Sequence, residues 1–177
     1  MSESERVGCE TAEEIVKTWP EAAREAANEM MEEYGAPDEA TASLLLWHNN
    51  GPWRRTVVYR EEAQHNFPAP HRDVLEQFIP YRVPVDKFDD LAAFDGNVLV
   101  DRTKGLMSAR CAGEGGNFLS LNLAYEIIQG NKDVESARAA YAQAMKARKE
   151  GNTPEIMQRL MFEIPRDDTA DPDQALI

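Results

Sequence analysis

The sequence predicts an α+β fold, a four- to five-stranded antiparallel sheet with helices packed on one face, and three observations predict it. The flanks are Ala- and Glu-rich with helix-capping signals, and the middle holds short β-type runs separated by turn formers. The order helix, strands, helix, strands, helices also lacks the regular alternation of a parallel α/β sheet. At 177 residues one domain is expected, over 1–164, with 1–40 as an acidic helical front end and 165–177 as a disordered tail.

Thr11 with Glu14 forms a capping-box pattern, Pro20 suits the first turn of a second segment, and Gly35 follows Tyr34 as a C-cap, so helix is expected from about 11 to 34. Its apolar stripe of alanines, Met30, Met31 and Tyr34 is thin, which turns the carboxylates outward. Leu44 to Trp47 and Thr56 to Tyr59 are strand formers joined by His48-Asn-Asn-Gly-Pro-Trp53, the clearest hairpin signal in the chain. Pro52 has no N–H, so a loop wider than a two-residue Asn-Gly turn is expected. Residues 61–72 contain Pro68 and Pro70 and are expected to form a stiff irregular loop. Leu75, Ile79, Tyr81 and Val83 share one face of a strand, after which Pro84 opens a short helix bearing Val85, Phe88, Leu91 and Phe94. A second hairpin follows at 98–100 and 106–111, then helices at about 117–129, from Asp133 to about Glu150, and briefly after Pro154, where Ile156 and Leu160 are expected to be buried. The tail PRDDTADPDQALI has little to bury.

The net charge of −13 sits outside the middle. Residues 1–46 carry 12 acids against 3 bases and 113–177 carry 11 against 7, while 47–112 balance at 9 against 9. That balance argues against nucleic acid as a partner, since phosphate contacts need a concentrated basic face. No run approaches the ~20 apolar residues of a membrane span, and the start MSESERVGCETAEE lacks the apolar core of a signal peptide, so a cytoplasmic chain with no membrane partner is expected. Cys9 and Cys111 are too few for a disulfide framework and are expected to be reduced.

The neutral middle also carries a resemblance. Trp47-His-Asn-Asn-Gly-Pro-Trp-Arg-Arg-Thr56, with His65-Asn-Phe-Pro-Ala-Pro-His71, Asp101-Arg-Thr103 and Ala109-Arg-Cys111, resembles a family of uncharacterised bacterial proteins sharing a WxNNGPW(K/R)RT-type block. The likeness covers about residues 34 to 142 and implies a bacterial, cytosolic, single-domain protein. It implies no activity and no catalytic residue.

Several constellations in that middle bear chemistry. His65 and His71, with Glu61 or Glu62 as a carboxylate and His48 arriving from the first hairpin, are candidate metal ligands, because imidazole suits zinc, iron and nickel and a catalytic site needs about three protein ligands. The plainer alternative is that they hydrogen-bond loop backbone. Cys111 precedes Gly113-Glu-Gly-Gly116 and a helix start, where N–H groups favour a thiolate and Glu114 opposes it, with His65 or His71 as the base. Arg102 and Arg110 face each other in a symmetric register, a conflict that Asp101 and Asp95 as internal partners, or a bound carboxylate or phosphate, resolve. The pair Arg54-Arg55 splits across two faces, placing one guanidinium beside Trp53 for stacking.

The leading expectation is a domain that binds a small molecule or a protein through an aromatic, Arg-edged surface of Trp47, Asn50, Trp53, Arg55, His65, His71, Arg102 and Arg110, with Tyr59 and Phe67 near the same mouth. The alternative is a metal- or cysteine-dependent enzyme centred on His65, His71 and Cys111. A third reading makes the helices of 117–162 a homo-oligomer interface with methionine-rich stripes. No motif specifies a cofactor.

Overall fold

The computed structural model of this chain describes residues 7–177, so the first six residues of the acidic front end lie outside it. The chain runs through α1 (Cys9–Val16), α2 (Glu21–Tyr34), β1 (Glu39–Ala40), β2 (Leu44–Asn50), β3 (Trp53–His65), β4 (His71–Pro80), α3 (Phe88–Phe94), β5 (Val98–Asp101), β6 (Leu106–Cys111), α4 (Glu114–Ile128) and α5 (Val134–Lys149). Short 3-10 turns at Val85–Lys87 and Glu155–Met157 precede α3 and follow α5. The six strands form one antiparallel sheet in the order β1-β2-β3-β4-β6-β5, one or two more than expected, the extra one being the two-residue β1. The segment through α3 carries the chain past β4 to the far edge, and β6 returns to fill the gap.

Cross-strand register puts Leu45, Trp47, Thr56, Val58, Leu75, Gln77, Ile79, Met107, Ala109 and Val98 in facing rows. The apolar members divide into two clusters. Leu45, Trp47, Val58 and Leu75 pack with Ala12, Val16, Trp19, Ala23, Ala26, Ala27 and Met30 of the front helices. Ile79, Val98, Met107 and Ala109 pack with Leu91, Phe94, Leu119, Leu123, Ile127, Ala137 and Tyr141 of α3 to α5. Thr56 and Gln77, both fully buried, mark the seam. There the carboxylate of Glu114 accepts through one oxygen from Tyr34 Oη at 2.6 Å, Trp53 Nε1 at 2.6 Å and Gln77 Nε2 at 2.8 Å. Gln77 in turn accepts from Asn117 Nδ2 at 2.9 Å. Burial, with the Glu114 carboxylate alongside, holds the Tyr34 hydroxyl protonated well above the ordinary tyrosine range.

Several local expectations are corrected. The helix at 11–34 is two helices, and α1 starts at Cys9 with Gly8 as an N-cap that makes no side-chain bond, so the Thr11–Glu14 pair is not a capping box. The first hairpin turns in two residues, Gly51-Pro52, between the paired Asn50 and Trp53. Gly51 takes φ +55°, and Pro52 sits where no N–H is needed, so its missing donor costs nothing. Residues 61–65 and 71–72 are strand: pairing breaks between Val58 and Ala63 and resumes at Ala63↔Asp73, confining the irregular loop and both prolines to 66–70. In the second hairpin Val98 opposes Ala109 and Asp101 opposes Leu106, so Arg102 falls in the turn and does not face Arg110. The Asp133 cap forms as expected, as a capping box with Ser136. After α5 it is Met157 that is buried, with Ile156 and Leu160 half-buried around it.

The tail has neither helix nor strand, yet polar contacts hold part of it. Arg82 donates to the carbonyls of Asp168, Thr169 and Ala170, Arg102 pairs with Asp171 and Asp173, and Thr169 Oγ1 donates to Gly105 O at 2.8 Å. Gly105, at φ +62°, leaves no space for a Cβ, which would meet the Thr169 carbonyl at 1.9 Å. Disorder was expected because the tail has little apolar surface; arginine-to-carbonyl bonds supply the anchoring that apolar burial does not.

The Glu114 knot gives the first prediction. Glu114→Leu strands three donors at the seam and is expected to cost about 3 kcal/mol, lowering Tm by roughly 6–12 °C for a chain of this size, as read by urea unfolding and calorimetry.

Candidate functional site

The irregularity in β3 and the five-residue loop place His65 directly opposite His71 as a cross-strand pair, with ring centroids 4.9 Å apart. Asp73 lies two residues beyond His71 on the same strand, and so on the same face. Its side chain is almost wholly buried. Asp73 Oδ2 lies 3.2 Å from His65 Nδ1, and Oδ1 lies 2.9 Å from His71 Nε2. One donor atom from each of these three residues can be chosen so that all lie within 4.8 Å of one another.

The end of α3 and the start of β5 supply the supports. Asn97 Nδ2 donates to Asp73 Oδ2 and lies 2.9 Å from His65 Nδ1. Asp95 accepts from the Asn97 N–H at 2.9 Å and from Ser120 Oγ at 3.3 Å, and its Oδ1 lies 3.7 Å from His65 Nε2. Arg110, opposite Glu76 on β4 and Asn97 beside β5, donates from Nη2 to Asn97 Oδ1 at 3.3 Å. Cys111 brings its Sγ to 3.8 Å from His71 Nε2. Gly116 permits that approach, because a Cβ there would meet the sulfur at 2.2 Å.

The electrostatics follow from these contacts. His71 Nδ1 lies 2.8 Å from the Ala69 carbonyl, which only accepts, so Nδ1 carries a proton and Nε2 is the atom turned toward Asp73 and Cys111. Asp73 beside Nε2 pushes the His71 imidazole up to about 11, with Cys111 adding to the rise and burial opposing it. Burial raises Asp95 above the ordinary carboxylate range, against the Asn97 N–H and His65, which lower it. Asp73 Oδ1 has no hydrogen bond despite its closeness to Nε2, so the two atoms are near but not aimed at each other.

The remaining expected site residues are scattered, and the aromatic surface does not form. Trp47 is buried in the front cluster and donates to Gly35 O at 3.0 Å; Trp53 is buried in the other, stacked on Phe118 at 4.9 Å. Asn50 is buried and donates to Thr56 Oγ1 at 3.0 Å. Arg55 lies over the Phe78 ring at 4.0 Å and not on Trp53. Arg102 is committed to the tail. His48 pairs with Glu39 at 3.0 Å and Glu62 reaches toward Arg72, so neither joins the histidine pair. Glu114 faces Tyr34, Trp53 and Gln77 and does not oppose Cys111 directly. Cys111 is 6% exposed beneath α4, and the His71 Nε2 it faces at 3.8 Å lies nearer to Asp73 Oδ1, at 2.9 Å.

The sequence singles out neither Asp73 nor Asn97, and Asp95 only as a partner for Arg102 or Arg110. His71-Arg-Asp73 has the spacing of two same-face strand residues and is legible once 71–73 is known to be strand; Asp95 and Asn97 arrive only through the crossover and leave no local signal. No family model, curated protein or solved structure matches the chain.

In the metal-free protein the His71–Asp73 pair has a readable titration. The raised His71 value means that the stabilisation is complete below the ordinary histidine range near 6.5 and is lost as pH climbs through about 11. The His71 imidazole, followed by NMR, is expected to stay protonated at pH 8, and Asp73→Asn to bring its midpoint down by more than one unit; a His71 midpoint near 6.5 in the unaltered protein contradicts the pairing.

Proposed function

We propose that the chain is a metal-dependent enzyme whose single divalent transition-metal ion is held by His65, His71 and Asp73. The convergence of these three donors supports the reading, with the almost wholly buried Asp73 carboxylate lying between the two imidazoles, 2.9 Å from His71 Nε2 and 3.2 Å from His65 Nδ1. Two donors bound at about 2.1 Å to one ion at a right angle are themselves roughly 3 Å apart, close to the 2.9 Å between His71 Nε2 and Asp73 Oδ1.

The surroundings also suit an ion. A metal-bound imidazole ordinarily gives its other nitrogen to a carbonyl or carboxylate. His71 Nδ1 has the Ala69 carbonyl, and His65 Nε2 faces Asp95. Asn97 tethers the Asp73 carboxylate. Two apolar clusters already close the fold, so the ion is not required for folding, and three protein ligands leave positions open for water or substrate, the pattern of catalytic sites. Two imidazoles and one carboxylate suit zinc, which lowers the pKa of bound water, and ferrous iron, which handles oxygen. The identity of the bound ion selects between hydrolytic and oxidative chemistry. We place this activity in the cytoplasm, a reading supported by two free cysteines and by the absence, among the described residues, of a helix long and apolar enough to cross a membrane.

The test is metal content and coordination. Protein stripped with chelator and reloaded with Zn2+, Fe2+ or Co2+ is expected to hold one ion per chain. Asp73→Asn and His71→Ala should each weaken binding by at least about 100-fold, more than loss of an outer-shell partner does, with helical circular dichroism unchanged. Visible absorption of the Co2+ form reports the coordination directly. A chain that holds none of these ions, or whose affinity is indifferent to both substitutions, overturns the proposal.

A further inference from the structure

A recess of about 290 Å³ opens beside His71. The loop residues Pro68, Ala69 and Pro70 form one wall with His71 at its end, and α5 forms the other with Ala142, Met145, Lys146 and Lys149. Residues 142, 145, 146 and 149 fall at helical spacing, so this wall is one continuous stripe of α5. The lining residues are apolar apart from His71 and the two lysines.

Charge separates this recess from three others. The cavity between Tyr34 and Phe162 carries Glu33 and Glu114 with Arg159, the one beside Tyr59 carries Glu61 and Glu62 with Arg60, and the one beside Met30 carries Glu29, Glu32, Glu33 and Glu114 with Arg148, so each sets carboxylates against a single arginine. The recess at His71 has two lysines and no carboxylate, in a chain with 32 acids against 19 bases. Lysines in a last helical turn also answer the free carbonyls there. That role does not require them to share a recess with two prolines, a methionine and the histidine of the candidate centre.

We infer that this recess seats a small organic anion with an apolar body, its anionic head on Lys146 and Lys149 and its body against Pro68, Pro70 and Met145, beside His71. The volume lies at the lower end of small-molecule sites, which suits a ligand of a few carbon atoms over a cofactor. A carboxylate is the simplest head that two flexible ammonium groups recognise. The assignment of this anion as substrate rests on the metal reading of His65, His71 and Asp73; its binding in the recess does not.

The experiment is an amide-shift NMR titration of the full-length protein, zinc-loaded and chelator-stripped, with hexanoate, hexylamine, 1-hexanol and acetate at low salt. Hexanoate is expected to shift Ala69, His71, Met145 and Lys146 and to bind at least about tenfold more tightly than the other three, a factor that corresponds to 1.4 kcal/mol. The double variant K146Q/K149Q, both positions being exposed, is expected to lose about tenfold in hexanoate affinity while its zinc content stays the same. Equal binding of hexanoate and hexylamine, shifts confined to other parts of the chain, or an affinity unmoved in K146Q/K149Q overturns the inference. Lysine-dependent hexanoate binding by a protein that holds none of zinc, ferrous iron and cobalt upholds the recess and removes the metal reading. Zinc retention without hexanoate binding does the reverse.

Discussion

One oxygen of Glu114 accepts hydrogen bonds from a side chain on α2, one on β3 and one on β4, while its own backbone begins α4. Four elements therefore meet on one atom, at the seam where the two apolar clusters would otherwise lie side by side without a fixed relation. A carboxylate suits that place because the free N–H groups and positive end of a helix favour negative charge in the first turn. Three short donor contacts replace the water that a half-buried acid gives up. The strand residues flanking the knot, Thr56 and Gln77, are buried polar groups whose bonds close within the same network. Since polar networks are directional and apolar contacts are not, the knot settles the angle at which α4 crosses the sheet.

That crossing has consequences at the other end of β6. With the start of α4 pinned, Gly115 lies against the Met157 carbonyl, at a distance that leaves a Cβ 3.1 Å from it, and Gly116 lies against Cys111. The thiol is thereby held under the helix, facing His71. The candidate centre is assembled from three separate stretches, the β3–β4 loop ends, the α3–β5 junction and the end of β6, all meeting beside Tyr141 of α5, whose ring packs against Phe67 at 5.1 Å and Phe94 at 6.3 Å. Arg138 of the same helix covers the other side of Phe67 at 3.8 Å and donates to the Phe94 carbonyl. The proline-containing loop that joins the two histidine-bearing strand ends is thus packed against α5, which helps to hold the two imidazoles in a defined pair.

The charge pattern takes on a different meaning in three dimensions. Most of the acidic excess lies on helices whose carboxylates face water, where it contributes to solubility and little to the fold. The acids that matter are few and inside: Glu76 takes bonds from Tyr59 and Ser108, Asp73 and Asp95 serve the histidines, and Glu114 ties the seam. Composition counts all of these as one class, and only burial separates them.

By itself the sequence determined the fold class, the existence of both hairpins, the Asp133 cap and the candidacy of His65 and His71, because caps, turn formers and alternation act within a few residues. Three things were decided by tertiary structure. The two-residue turn at Gly51-Pro52 and the strand character of 61–65 depend on neighbouring strands supplying partners, which overrides the local signal of proline. The tryptophans looked like surface recognition groups, but their indoles find acceptors inside, on Gly35 and Glu114, so they bury whole. Asp95, Asn97 and Cys111 became neighbours of the histidines only when β6 was inserted between β4 and β5, a long-range pairing that no local periodicity encodes.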